Sequence, residues 1–207
     1  MNHAADLRVR LVATAPFLVL VGAACIGLAA CSLPGPAPAE YVLGALPSAK
    51  PTALSQTRMP VVEVKRVTVP DYLDTTDIVE RSGNQLIPSS TGRWGERLSL
   101  GMTRALIAAL SVRLPGFVVT ASPVTRPAHQ ILVDVAAFEV MPDRQVVFVA
   151  RWTVLGDPSP QVQEAEQTSL VEKVSGDGDG AIVAAMSKAV DDLAGQLAAE
   201  IKRDLPP

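Results

Sequence analysis

The sequence predicts an α+β fold: a single domain in which a largely antiparallel sheet carries two amphipathic helices packed on one face. Two observations support this prediction. Short segments with alternating apolar residues, typical of strands, recur from residue 41 onward, and two longer segments carry apolar residues every three or four positions, typical of helices. Because each helix has one apolar stripe, both helices need a sheet to cover. We find no internal repeat and no second domain.

The expected order of elements is strand, strand, hairpin, helix, strand, three-stranded meander and helix. Gly83 and Asn84 lie between two apolar segments, and this turn signal predicts the hairpin. Residues 88–92, with proline, serines and glycine, are expected to form a loop after it. The expected strands lie at residues 41–43, 61–70, 78–79, 86–87, 117–119, 131–140, 145–155 and 162–174.

Two of these strands have unusual apolar patterns. In residues 61–70 (VVEVKRVTVP) the apolar positions change phase across Lys65 and Arg66, which predicts a β-bulge or a strand whose two ends bury opposite faces. Residues 145–155 are apolar on both faces, which predicts a central strand or one whose second face is covered by a partner or another copy of the chain. The preceding strand alternates regularly and is expected to direct four residues to one face: Ile131, Val133, Val135 and Ala137.

The two helices are predicted from their apolar stripes. The first is expected over residues 93–114, ended by Pro115 and Gly116, with a stripe of Trp94, Leu98, Met102, Ala105, Leu106, Ala109 and Leu110. The second follows the sequence GDGDG at residues 176–180, where Asp177 or Asp179 is expected to cap it. Its stripe consists of Ile182, Met186, Val190, Leu193, Leu197 and Ile201.

The start of the chain resembles a bacterial lipoprotein signal. A short basic start precedes residues 11–30, which contain no charged side chain and end in Leu28-Ala29-Ala30-Cys31. This resemblance to a lipobox implies that residues 1–30 are a signal peptide and that Cys31 is acylated after cleavage. Ser32 at the second position implies sorting to the outer membrane. The alternatives are an uncleaved membrane anchor of about 20 residues and lipidation at Cys25, where Gly22 fits the lipobox less well.

The rest of the chain divides into a tether and one domain. Residues 31–40 comprise the lipidated cysteine and a Pro/Ala tether, and residues 41–205 the domain. After cleavage 177 residues remain, with 16 basic and 20 acidic side chains, which suits one domain with its own core. No basic patch stands out, so nucleic acid is not an expected partner. With Cys31 acylated, no thiol is left for a disulfide, and the domain must be held together by packing.

The residues indicate no catalytic, cofactor or metal site. His129 is the only histidine after the signal, and we expect it on the surface in a loop. No second histidine or thiolate is available for zinc, and no Gly-x-Ser-x-Gly sequence occurs. A Ser-His-Asp set stays open, because such triads are assembled in space rather than in sequence.

Three groups of charged residues have both a structural and a functional interpretation. Asp177 and Asp179 resemble part of a calcium loop, but Ala181 occupies a position that needs an oxygen ligand, so we expect helix capping. Two interpretations apply to Asp71, Asp74 and Asp77: a functional carboxylate cluster, or residues that form turns. We favour turns. Two interpretations also apply to Arg93, Arg97 and Arg104. They form either a solvated flank of the first helix or a docking face for an acidic partner.

Two segments carry a resemblance to a known family. They are VEVKRVTVPDYLDTTDIVER at residues 62–81 and RWGERL at residues 93–98, following the lipobox and the Pro-rich tether. Together they resemble the ABC-type transport auxiliary lipoproteins of the PqiC/YmbA group over nearly the whole mature chain, most weakly at residues 156–180. The family's motif positions are occupied by Pro70, Tyr72, Leu73, Arg81, Arg93, Trp94, Glu96 and Leu98. Arg97 stands where the family often has proline.

The resemblance implies a non-enzymatic protein of the bacterial envelope. Such a lipoprotein would be anchored in the outer membrane, face the periplasm, and dock an MCE-domain protein that works with an ABC transporter in lipid transport, which supports membrane integrity. The motif residues would be structural or docking residues, and Tyr72 and Trp94 would be core anchors rather than lipid contacts. The alternatives are a structural lipoprotein of another envelope machine, for secretion, pili or lipopolysaccharide assembly, and an envelope hydrolase.

Overall fold

A computed structural model describes residues 36–44, 59–156 and 165–203. The predicted signal peptide, Cys31, part of the tether and residues 162–164 of the last predicted strand lie outside the described residues. The strands are β1 (Ala39–Tyr41), β2 (Val61–Val64), β3 (Asp77–Ser82), β4 (Gln85–Trp94), β5 (Val118–Thr120), β6 (His129–Val140), β7 (Gln145–Gly156) and β8 (Glu166–Lys173). The helices are α1 (Leu98–Arg113) and α2 (Gly178–Arg203), so the expected order of elements is confirmed.

The strands form one mixed sheet around the long strand β6. On one side β6 pairs with β7 and β7 with β8, both antiparallel. On the other side β6 pairs in parallel with β2 near its start and with β3 near its end. Strand β5 extends the sheet beyond β2, and β4 and β1 extend it beyond β3. The long pairings are antiparallel and the short ones, apart from the β3–β4 hairpin, are parallel.

One core lies between the sheet and the two helices. The apolar stripes of α1 and α2 join the inward residues of the strands in a single buried cluster, as the α+β prediction requires. Phe138 of β6 and Phe148 of β7 are completely buried, and their rings contact edge to face at a centroid distance of 4.9 Å. Burying a side chain of this size contributes about 1.5–3 kcal/mol. No helix within the described residues is long and apolar enough to cross a membrane.

The start of the first helix differs from the prediction. Helix α1 begins at Leu98 rather than at residue 93, because β4 continues through residues 88–92, which we expected to form a loop. Proline is tolerated at position 88 because it needs no backbone N–H there. On the side of β4 away from β3, β1 pairs only with residues 92–94, so no described strand lies opposite Pro88. Trp94 therefore enters the core from a strand instead of from a helix.

The phase change in residues 61–70 comes from one extra residue. Val64 lies opposite Ile131, and Thr68 forms a bridge with Asp134, so four steps along this segment match three along β6. The valines at positions 62, 64, 67 and 69, on the two sides of the extra residue, are all buried on the same face. This confirms the β-bulge interpretation. A second irregularity in β6, after Val135, turns Ala137 to the opposite face, contrary to the regular alternation that we expected.

His129 is the clearest error among the predicted surface residues. It is the first residue of β6, is only 8% exposed, and its ring centroid lies 5.9 Å from that of Phe117. The strand starts two residues earlier than expected, and His129 continues the inward phase of Ile131 and Val133. A loop residue predicted from its proline and alanine neighbours is therefore a core residue.

Gly92 marks a close approach between β4 and α2. A Cβ atom at this position would lie 2.6 Å from Cγ of Asp179, which is itself buried and accepts a hydrogen bond from the Thr91 hydroxyl at 2.6 Å. We expect Gly92→Ala to lower the free energy of unfolding by about 1–3 kcal/mol, because a packed contact must give way. Urea denaturation measures it. In the control Gly116→Ala the new Cβ meets no atom within 4 Å, and an equal loss there would contradict the packing argument.

Candidate docking site

The segment between Pro70 and Asp77, here called the connecting loop, sends three successive side chains in three directions. The Pro70 carbonyl accepts hydrogen bonds from the backbone N–H groups of Leu73 at 2.9 Å and Asp74 at 3.1 Å, which closes a tight turn. Leu73 is buried in the core, Asp74 reaches the start of α1, and Tyr72 lies on the sheet face away from the helices. The Pro-x-Tyr-Leu motif therefore joins three parts of the fold.

Tyr72, Arg81 and Glu139 form what we call the Glu139 cluster. Glu139 is 4% exposed, and its Oε1 accepts hydrogen bonds from Arg81 Nη2 at 2.6 Å and from the Tyr72 hydroxyl at 2.8 Å. Arg81 Nε donates to the second carboxylate oxygen, so the ion pair is bidentate. The Arg81 guanidinium also lies 5.8 Å from the centroid of the Tyr72 ring. Every oxygen of the buried carboxylate is thus satisfied.

The Glu139 cluster joins two parts of the sheet where backbone pairing is sparse. Strands β3 and β6 share a single register pair, Glu80 with Val140. Arg81 follows Glu80 and Glu139 precedes Val140, so the ion pair crosses the same junction. The hydrogen bond from Arg81 lowers the pKa of Glu139, while burial acts in the opposite direction. Burial and the bond to Glu139 raise the pKa of Tyr72.

Acid is expected to weaken the Glu139 cluster. The pKa of Glu139 in the fold lies below the unfolded value of about 4.3. Its contribution to stability is therefore full above that value and is lost as the pH falls through the folded pKa. We expect the difference in unfolding free energy between the wild type and Glu139→Gln to shrink between about pH 7 and about pH 3. Urea titrations at both pH values measure it, and a constant or growing difference would contradict the assignment.

The connecting loop also caps helix α1. Arg97 occupies the N-cap position and makes no capping hydrogen bond. Asp74 Oδ1 instead accepts a hydrogen bond from the Ser99 N–H at 3.1 Å, and the Thr75 carbonyl accepts one from the Leu98 N–H at 3.2 Å. Burial raises the pKa of Asp74, but the Ser99 hydrogen bonds and the nearby arginines outweigh it and leave the pKa below its ordinary value.

Removal of this cap should destabilise the domain. We expect Asp74→Ala to lower the free energy of unfolding by about 1–2 kcal/mol, because the Ser99 N–H in the first turn of α1 then loses its charged acceptor. Asp71→Ala is the matched control, since Asp71 lies exposed in the same loop. Thermal and urea denaturation compare the two variants. Similar losses in both would show that the loop, and not the cap, carries the effect.

The two motif segments meet in space. Trp94 donates its backbone N–H to the Thr76 carbonyl at 2.7 Å, and Leu98 packs beside it in the core. Trp94 is 4% exposed and is a core anchor, as expected. Tyr72 is 41% exposed, so the expectation that it is a core anchor is wrong. The motif thus combines core residues with the surface-lying Tyr72.

The three arginines at positions 93, 97 and 104 do not form the helix face that we expected. Arg93 lies in β4 and Arg97 precedes α1; only Arg104 is helical. Each pairs with a carboxylate of the same chain: Arg93 with Glu40 at 2.5 Å, Arg97 with Asp74 at 3.3 Å and Arg104 with Glu96 at 2.6 Å. Because these charges are already compensated, a docking face for an acidic partner has no support here.

The strongest candidate docking surface is the sheet face away from the helices, which we call the outer sheet face. Leu132 is 42% exposed and Val171 56% exposed. Val147 lies between Val171 and the buried Glu139 in register, so the apolar surface borders the Glu139 cluster. The apolar part of the outer sheet face consists of Leu132, Ala137, Val147, Val149 and Val171. Strand β7 pairs with β6 on one side and β8 on the other, as expected for a central strand.

Sequence reasoning missed Glu139. It predicted strand β6 but assigned no role to this carboxylate, although a glutamate between Phe138 and Val140 in an apolar strand was an available signal. In the described residues no group of three or more histidine, cysteine, aspartate or glutamate side chains is arranged to hold a metal ion. Asp179 lies in the first turn of α2, where its charge suits the helix dipole.

The described domain thus combines a motif loop that caps α1 with a motif arginine that pairs with a buried glutamate. The chain belongs to the ABC-type transport auxiliary lipoprotein components, whose family model matches residues 41–198. All eight motif positions lie in this range.

Curated relatives agree with this assignment, and solved structures share the fold. The intermembrane transport lipoprotein PqiC of Escherichia coli (strain K12) is 28% identical over 186 residues, which cover 89% of this chain and 97% of the relative. PqiC of Shigella flexneri matches equally. A crystal structure of an uncharacterised protein has a TM-score of 0.66 at 24% identity, covering 80% of this chain and 99% of the other. A Xanthomonas campestris protein has 0.57 at 14% identity, covering 78% and 90%. These structures share the fold.

Proposed function

We propose that the chain is an outer-membrane-anchored lipoprotein of the periplasm that belongs to an intermembrane lipid-transport system. It would dock an MCE-domain assembly that works with an ABC transporter. The observation that carries this proposal is the match along 89% of the chain to a protein named an intermembrane transport lipoprotein. The family model, which describes an auxiliary component of ABC-type transport, supports the same role.

The lipobox supports the anchor, and the structure supports a binding role. Acylation of Cys31 would supply several chains, and two or more are needed for firm attachment. The described charged side chains of the motif are engaged in structural pairs, such as Arg81 with Glu139 and Arg104 with Glu96. These pairs hold the domain together, and the exposed apolar residues of the outer sheet face offer a surface for docking.

The test of this role is outer-membrane integrity in the native organism. Deletion of the gene should raise the uptake of a dye that an intact outer membrane excludes. The wild-type chain should restore exclusion, and so should Asp71→Ala, which changes an exposed loop residue. Unchanged permeability in the deletion strain, or restoration by Cys31→Ala, would contradict an outer-membrane role in lipid transport.

We also propose that further copies of the chain cover the outer sheet face. The support is its exposed apolar residues, together with the opposite charges of Asp134 and Arg151, which lie opposite each other in register on this face. A photo-crosslinking residue at Val171 should join two copies of the chain. The same residue at Val112, which is 67% exposed on α1, is the control. Adducts only with a different protein at Val171, or a strictly monomeric mass by light scattering, would contradict self-association.

A further inference from the structure

The chain enters the domain at one end of the sheet. Strand β1 runs parallel to β4, with Ala39 opposite Gly92 and Tyr41 opposite Trp94. The residues before Ala39 therefore come from the end of the sheet at which β4 begins. That end carries the turn between β3 and β4, at Gly83 and Asn84. The β6–β7 turn lies at the same end, because β3 and β6 are parallel at Glu80 and Val140.

The β3–β4 hairpin projects beyond the point where the chain enters. Along β3, five residues separate the partner of Arg93 from the partner of Gln85, so the hairpin tip lies about 17 Å from the point of entry. Cys31 precedes Ala39 by eight residues, and a proline-rich segment of that length reaches up to about 25 Å. The tether is therefore long enough for the hairpin tip to touch the bilayer that would hold Cys31.

The hairpin tip, defined as residues 82–88, has a composition that suits a bilayer surface. Residues 82–92 (SGNQLIPSSTG) contain no charged side chain. Ile87 is 45% exposed and Leu86 is half-buried, so apolar area is available at the tip. The nearest cation, Arg81, is neutralised by Glu139. Exposed charges of both signs lie at the same end of the sheet, at Glu80, Asp143 and Arg144. The lipid anchor, rather than electrostatic attraction to the headgroups, would therefore hold the tip at the bilayer surface.

We propose that the end of the domain carrying the β3–β4 turn faces the membrane that holds the anchor, with Leu86 and Ile87 at the level of the phospholipid headgroups. The opposite end, where β2 and β6 begin, then faces the periplasm. This inference rests on the acylation of Cys31 in the proposed function, and it adds the orientation of the domain. It names a phospholipid surface as the occupant of the hairpin tip.

The experiment measures which end lies near lipid. The acylated full-length protein is purified from the envelope and placed in phosphatidylethanolamine and phosphatidylglycerol vesicles whose headgroups carry a nitroxide quencher. Asn84→Cys bears a fluorophore at the hairpin tip. Val124→Cys is the matched control, because Val124 is 99% exposed in the segment that leads into the opposite end of β6. Labelling is specific, since the mature chain has no cysteine other than Cys31.

We expect several-fold stronger quenching at residue 84 than at residue 124. Equal quenching, or stronger quenching at residue 124, in a sample whose mass shows acylated Cys31 would overturn the orientation and leave the proposed function intact. An unacylated Cys31 in the mature protein would overturn both. Strong quenching at residue 84 without any recovered transport partner would support the orientation and count against the docking role.

Discussion

Glu139→Ala is expected to lower the free energy of unfolding by about 3 kcal/mol, because it removes the buried acceptor of a bidentate ion pair. Arg81 then loses the carboxylate that its guanidinium faces, and the Tyr72 hydroxyl loses its acceptor. The junction between β3 and β6 keeps only one backbone register pair. We therefore expect the β3–β4 hairpin to lose protection against amide hydrogen exchange as well.

A matched control separates burial from pairing. Glu40→Ala removes another strand glutamate that pairs with an arginine, but the side chains of Glu40 and Arg93 are 57% and 52% exposed. An exposed pair contributes about 0–1 kcal/mol, so this variant should be nearly neutral. Urea denaturation of both variants makes the comparison. Equal losses, or a neutral Glu139→Ala, would show that the Glu139 cluster does not hold the sheet together.

Cys31→Ala is expected to remove the chain from the outer membrane. Each buried CH₂ of an acyl chain contributes about 0.8 kcal/mol, so the loss of several chains abolishes stable attachment there. The variant should appear either as a precursor that retains residues 1–30 or as a released protein. Membrane fractionation on a density gradient, with mass spectrometry of the mature amino terminus, measures the change.

Cys25→Ala is the control for the position of the anchor. Cys25 lies six residues before Cys31, within the segment that cleavage would remove. This variant should fractionate like the wild type and carry the same acyl mass. Retention of Cys31→Ala in the outer membrane, or loss of Cys25→Ala from it, would contradict the assignment of Cys31 as the lipidated residue.

The predictable part of the fold is the part encoded by local patterns. The stripe of α2 from Ile182 to Ile201 and the turn signal at Gly83 each depend on residues close in sequence, and both are confirmed. The bulge in residues 61–70 was predictable for the same reason, since a change of phase is a local signal. The direction in which β2 and β3 pair with β6 was not, because alternation does not specify a partner.

The candidate site was less predictable because its parts depend on tertiary contacts. The motif residues were identified, but Tyr72 was expected in the core and lies on the outer sheet face, where Glu139 holds it. Asp74 reads as a turn residue in sequence and caps a helix 25 residues later through Ser99. Residues 88–92 read as a loop and form part of β4, because β1 and β3 pair with its later residues. Each difference arises from a partner distant in sequence.

The measurement that tests the account most directly is affinity purification of the tagged, full-length, acylated chain from its own envelope, read by mass spectrometry. An unrelated outer-membrane lipoprotein, tagged and expressed at the same level, is the control. We predict specific enrichment of an MCE-domain protein together with components of an ABC transporter. Enrichment of secretion, pilus or lipopolysaccharide-assembly proteins instead, with no MCE-domain protein, would contradict the proposed role in intermembrane lipid transport.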